Sequence, residues 1–188
     1  MTQPNDPRSA RIPNTVLVLM GVSGSGKSTI AAELQRVLGW PFQEGDDLHP
    51  PANVEKMRSG HPLNDDDRRP WLEAVARWID ARLAAGEPGI ITCSNLKRAY
   101  RRITIGDRRG VTLVYLKGRP GLIQGRIAAR THRYMPASLL QSQFDTLEEP
   151  GADEHPLVVP VEGTPAETAA RLLELFAARN ETTGAQRS

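Results

Sequence analysis

Apolar residues recur along this chain in two rhythms. Unbroken runs suit strands buried on both faces, and spacings of three and four suit helices with one buried side. Residues 15–20, TVLVLM, form the first run. Ser28–Leu38 follows as a helix with Ile30, Leu34, Val37 and Leu38 on one side. Pro41–Gly45 reads as a short second strand, and Asn53–Arg58 as a short helix in a Pro- and His-rich stretch, 47–63. A long helix is predicted from about Asp66 to Ala85. Asn64 caps it, Asp65, Asp66 and Asp67 suit its positive end, and Pro70 is tolerable only in the first turn. Its apolar face is Trp71, Val75, Trp78, Ile79 and Leu83, and Gly86 ends it. Gly89–Cys93, Val111–Leu116 and Leu157–Val161 are further strands, and Pro120–Arg130 and Ala137–Leu147 further helices. Thr164-Pro165-Ala166-Glu167 is a capping box that opens a last helix to about Arg179.

Strands separated by helices imply βαβ units, a parallel sheet and helices on both of its faces. The fold class is therefore α/β, a three-layer αβα domain with a five-stranded parallel sheet over residues 14–180. Residues 1–13 and 181–188 are expected to be loose tails. A chain of 188 residues suffices for one such core.

Net charge adds a second pattern. The chain totals +2. Residues 97–133 hold eleven Lys or Arg against one acid, Asp107, so this segment carries +10 and the rest −8. Arginine's planar fork suits phosphate and carboxylate. The clustering fits a polyanion site or a nucleic-acid surface, and compositional bias explains the arginine excess but not its clustering. The longest apolar stretch, Val16–Val22, is too short for a membrane span, and the N-terminal residues are polar and proline-broken, unlike a signal peptide. A single cysteine, Cys93, allows no internal disulfide, and a reducing cytoplasm is the expected compartment.

The chemistry starts at Gly21-Val22-Ser23-Gly24-Ser25-Gly26-Lys27-Ser28, which fits G-x-x-x-x-G-K-[ST] between a buried strand and a helix. The glycines let successive backbone N–H groups turn inward onto phosphate, helped by the helix N-terminus that Thr29 continues. Lys27 reaches the β- and γ-phosphates and the Ser28 hydroxyl joins a Mg²⁺ shell, so ATP and Mg²⁺ are the expected cofactors. The size favours a small-molecule or nucleotide kinase. Ser94-Asn95-Leu96-Lys97-Arg98 has Arg98 where the guanine signature of GTPases needs Asp.

A kinase also needs a group at the acceptor hydroxyl. Ligands sit outside the carboxyl ends of parallel strands, and the second strand ends at Asp46, Asp47 and His49. Asp46 is the candidate base; the alternative is an aspartate that caps a turn or holds Mg²⁺ through water. Arg126 and Arg130 share a helix face and are candidate phosphate contacts, before a lid predicted at 126–136. Trp71 and Trp78 predict core rather than sugar stacking, and Cys93 packing rather than a nucleophile.

Together these residues resemble the gluconate kinase family, the small P-loop type. The specific strings are Gly45-Asp-Asp-Leu-His-Pro50, Asn53–Gly60, Pro62–Leu72, Cys93–Arg101, Tyr115–Gly118 and Leu140–Pro150, so the resemblance runs from about Val16 to Glu174. It implies strand order 2-3-1-4-5 and transfer of the ATP γ-phosphoryl to D-gluconate, giving 6-phospho-D-gluconate with Mg²⁺. It also implies a segment at 47–85 that covers the acceptor, and homodimers occur in the family. A sugar acid needs cations and many hydrogen-bonding groups, and His49, Arg58, Lys97 and Tyr100 are the substrate-binding candidates, with Arg98 and Arg101 beside them. Two strings depart from the family: Asn95 stands where Ala is usual, and His132-Arg133-Tyr134 replaces Gly-His-Phe. Other readings are a kinase for a different small metabolite and a nucleic-acid binder. The second is disfavoured because only Tyr100 and Tyr115 are aromatic in the basic segment. No nucleic acid or membrane is therefore expected as a partner.

Overall fold

A computed structural model describes residues 15–129 and 137–185. Its five-stranded sheet has the order β2-β3-β1-β4-β5, all pairs parallel, as the resemblance implied. The strands are β1 Val16–Met20, β2 Phe42–Gln43, β3 Gly89–Thr92, β4 Val111–Lys117 and β5 Leu157–Pro160. The helices are α1 Lys27–Leu38, α2 Pro51–Arg58, α3 Asp65–Ala85, α4 Arg98–Thr104, α5 Pro120–Ala128, α6 Ala137–Thr146 and α7 Pro165–Ala185.

The central strand explains the layers. Every residue of β1 is fully buried because successive side chains enter opposite faces. Leu17 and Leu19, with Ile90, Val114 and Leu116, pack on Ile30 and Leu34 of α1 and Leu172 and Phe176 of α7. Val16 and Val18, with Ile91, pack on Trp71, Val75 and Ile79 of α3 and Tyr100 of α4. Each buried aliphatic side chain contributes about 1.5–3 kcal/mol, so both layers are needed to hold the sheet.

Local differences from the sequence reading have local causes. The long helix starts at Asp65, where Asn64 and Asp67 close a reciprocal capping box. Pro70 therefore stands in the second turn, where it removes the N–H that would meet the Asp66 carbonyl. The short helix begins earlier, with Pro51 at its first position. The helix α4 was not predicted, since its seven residues RAYRRIT carry little apolar periodicity. The last helix extends to Ala185 rather than stopping near Arg179, so residues 181–185 are helical, not tail.

Six basic residues of the 97–133 segment pair with acids elsewhere in the fold. Lys97 pairs with Asp65, Arg98 with Asp153, Arg101 with Glu154, Arg108 with Asp80, Lys117 with Glu149 and Arg119 with Glu162. These acids all lie outside 97–133, which is how the +10 and −8 portions of the chain meet. Arg101 is the buried member, donating to both Glu154 oxygens and to the Asn95 and Glu148 carbonyls. Arg108 clamps Asp80 on α3 and donates to the carbonyls of Ile103 and Ile105.

Candidate active site

The loop between β1 and α1 has the backbone its glycines predict. Gly21, Gly24 and Gly26 take φ of 145°, 82° and 93°. At Gly24 a Cβ would come within 2.8 Å of Ile127 on α5, so this position is closed both by conformation and by space. Lys27 folds back over the loop, its Nζ donating to the carbonyls of Gly21 at 2.9 Å and Val22 at 3.2 Å. The Ser25 hydroxyl is buried with no hydrogen-bond partner among the described residues. Ser28 and Thr29 are exposed in the first turn of α1.

The acceptor side is built where β2 meets β3. Gly45 follows β2 and opens a short 3₁₀ turn, Gly45–Leu48. A Cβ there would sit 1.8 Å from the Thr92 carbonyl oxygen, so only glycine permits this approach. Its N–H donates to Thr92 Oγ1 at 3.0 Å, and its carbonyl accepts from the Trp71 indole at 2.7 Å. The Thr92 hydroxyl donates in turn to the Glu44 carboxylate. The turn exposes Asp46 and Asp47 and ends at His49, whose N–H donates to the Asp46 carbonyl at 3.3 Å. His49 stacks on Trp71, and Asn53 Nδ2 lies 3.5 Å from its Nδ1. Burial holds the His49 ring below its ordinary 6.5; Asp46 opposes this and Arg68 adds to it.

Cys93, just beyond β3, reports what converges here. Burial pushes its thiol up to about 12, with the Asp46 charge adding and the Lys27 and Arg68 charges opposing. The charges of the phosphate-loop lysine, the candidate base and an α3 arginine thus all act at the end of β3. The thiol is a packing group, as its position in the sequence suggested.

The remaining predicted residues fall in three places. Lys97 and Tyr100 both donate to Asp65 at the start of α3, at 2.9 and 2.5 Å to Oδ1, so they form one wall of the cleft as a bound set. Arg58 is exposed at the end of α2. Arg126 donates to the carbonyls of Val161 at 2.5 Å and Gly163 at 3.1 Å, beyond β5 rather than over the phosphate loop. Arg130 and the rest of the predicted lid, 130–136, lie outside the described residues, as do the 132–134 departure and residues 1–14. The other departure, Asn95, is buried with φ 47°, a left-handed conformation that Asn adopts more readily than Ala. Its Oδ1 accepts from Thr104.

Two residues were missed. Arg68 is half-buried on α3, its guanidinium 5.9 Å from the Tyr100 ring centre, and its charge acts on His49, Asp65 and Cys93. Its spacing of three from Trp71 put it on the inward face and was the available signal. Glu44 was read as strand, yet it stands two before Asp46 and is tied to β3 through Thr92. Glu44, Asp46 and the Ser28 hydroxyl are hard oxygen donors of the kind Mg²⁺ takes beside phosphate oxygens and water. Among the described residues no group of three or more His, Cys, Asp or Glu forms an all-protein metal cage.

Comparison with known proteins agrees with this geometry. The AAA domain family model matches residues 16–150. The gluconokinase of Gluconobacter oxydans is 47% identical over 164 residues, 87% of this chain and 92% of that protein. The thermoresistant gluconokinase of Escherichia coli is 44% identical over 158 residues, covering 81% and 90%. The crystal structure of a gluconokinase from Sinorhizobium meliloti 1021 superposes with a TM-score of 0.84 at 40% identity, covering 95% of this chain and 100% of that one. With a phosphate loop between β1 and α1, and this identity along nearly the whole fold, the chain belongs to the gluconokinase family.

Proposed function

We propose that this protein transfers the γ-phosphoryl of ATP to D-gluconate, giving 6-phospho-D-gluconate and ADP. The observation that carries the reading is the phosphate loop between β1 and α1, with Lys27 folded back over its carbonyls, and the turn that presents Asp46 after β2 on the same parallel sheet. The named gluconokinases that share the sequence support the choice of acceptor.

Each residue then has a chemical task. The loop N–H groups and the N-terminus of α1 hold the phosphates. Lys27 exchanges its loop carbonyls for phosphate oxygens and balances the charge that moves during transfer. Asp46 accepts the proton of the attacking hydroxyl, whose oxygen bonds to phosphorus as the bond to ADP breaks. Mg²⁺ would be held beside the phosphates by Ser28, with Glu44 and Asp46 within its water shell, and supplies charge neutralisation there. Arg68 meets the gluconate carboxylate, and His49, held neutral by burial, faces the polyol. Lys97 and Tyr100 contribute through Asp65. Arg126 borders the nucleotide on the β5 side, and Arg130 is assigned to phosphate from its spacing alone. Arg58, exposed at the rim, is the weaker carboxylate candidate.

The direct test is ADP release by the purified chain with ATP and Mg²⁺, read across gluconate, other sugar acids and shikimate. Turnover strongest with gluconate is the expected result. Efficient turnover of another acid, with none on gluconate, overturns it.

A further inference from the structure

The helix α6 carries a polar residue where its pattern asks for an apolar one. Leu140 is buried in the core, and Phe144 and Leu147 pack partly buried against the same cluster. Gln143 lies three after Leu140 and four before Leu147, on the same face. A polar group drawn toward a core needs a partner. Gln143 has one: its Oε1 accepts from the backbone N–H of Ser23 at 2.7 Å, across a sequence separation of 120 residues. That N–H belongs to the phosphate loop, one residue before Gly24.

We infer that Gln143 is a positioning residue for phosphoryl transfer, fixing the Ser23 peptide so that the N–H groups from Gly24 onward face the phosphates. The inference rests on the loop being the ATP site. Three facts support it. The loop is tied elsewhere by a local bond, Ser25 N–H to the Val22 carbonyl, and at its start by Gly21 N–H to the Ser94 carbonyl after β3. Gly24 is held from below by Ile123 and Ile127 of α5. Ser23 is therefore the peptide between these anchors, and Gln143 is what orients it. The acceptor is a neutral amide oxygen, although glutamate would make a stronger bond to the same N–H. A carboxylate there would place a negative charge beside a polyphosphate, and a neutral acceptor avoids that repulsion.

The test uses the full chain with Gln143→Met, which keeps length and removes the acceptor, and Gln143→Glu, which keeps the acceptor and adds charge. Steady-state kinetics with ATP and with gluconate are read beside melting temperature with and without MgADP. For Gln143→Met, kcat/KM for ATP falls about tenfold, the scale of a part-buried donor left unmet, while the gluconate KM stays near that of the parent. For Gln143→Glu, the melting temperature without nucleotide is kept and the KM for ATP rises about tenfold. Parent-like ATP kinetics in Gln143→Met overturn the inference. So does a parallel loss in both substrates' KM values and in the nucleotide-free melting temperature, which makes Gln143 a packing residue only. A parent protein that MgADP does not stabilise would instead overturn the assignment of the loop to nucleotide.

Discussion

Trp71 lies flat against His49, with ring centroids 4.2 Å apart and planes 14° from parallel. The same indole donates to the Gly45 carbonyl at 2.7 Å. One side chain, 1% exposed and rooted in the α3 core, thus fixes both ends of the turn that presents Asp46. The sequence reading placed Trp71 in the core, which is right, but its polar edge and its outer face both serve the site.

The stack has a pH signature. Burial lowers the His49 pKa in the folded state, so as pH falls past 6.5 the unfolded chain takes up a proton that the folded chain resists. This stability contribution is complete above pH 6.5 and declines below it, toward the lower folded value. Melting temperature between pH 7.5 and 5 should therefore fall less steeply in His49→Gln than in the parent. Equal slopes would show that His49 is not held neutral.

Arg68 and Arg58 are distinguished by substrate kinetics. Arg68→Met should raise the gluconate KM about tenfold or more, the scale of a charge-assisted hydrogen bond, with the ATP KM little changed. Arg58→Gln should leave both near the parent values. The reverse pattern would return the carboxylate site to α2.

Asp46→Asn should retain MgADP-induced stabilisation while kcat collapses by about a hundredfold or more, as expected for loss of a general base. Glu44→Gln, which keeps an acceptor for the Thr92 hydroxyl, should reduce kcat less and increase the Mg²⁺ concentration needed for half-maximal rate. If Glu44→Gln instead abolishes turnover and Asp46→Asn is mild, the two carboxylates exchange roles.

The fold was legible where burial alone decides it. The run at 15–20 suited a strand buried on both faces, and the long helix announced itself through Trp71, Val75 and Ile79 together with its cap. The phosphate loop was legible because its chemistry is local in sequence. What stayed hidden depends on contacts between distant segments. Arg101 looks like a candidate substrate cation until Glu154 and the Glu148 carbonyl are brought to it. Arg126 looks like a phosphate contact until the turn beyond β5 supplies two carbonyls. Lys97 and Tyr100 look like open donors until the start of α3 supplies Asp65.

Arg101 and Glu154 are the ion pair whose loss the fold should feel most. Their side chains are 2% and 14% exposed, against 44% and 60% for the neighbouring Arg98–Asp153 pair. Removing one partner strands the other charge in a desolvated site, costing about 3–5 kcal/mol. Glu154→Gln should lower urea-unfolding stability by that order, and Asp153→Asn far less, as expected for an exposed pair. Similar losses in both variants would mean that burial does not set the strength of this latch.

Gly24→Ala separates conformational from steric constraint in the phosphate loop. At φ 82° an alanine is strained by about 1–2 kcal/mol, and its Cβ would also stand 2.8 Å from Ile127 Cγ1 and 3.0 Å from Ile127 Cδ1. The single variant should lose both melting temperature and MgADP stabilisation. Adding Ile127→Ala opens the space but leaves φ unchanged, so the clash is relieved and the backbone strain is not. The double variant should show a smaller stability loss than the sum of the two single changes, because the substitutions share one contact. Nucleotide binding should stay impaired, because the N–H groups that meet phosphate depend on the loop's backbone path rather than on the room beneath it. Full recovery of MgADP stabilisation would show that the Ile127 contact alone requires glycine here.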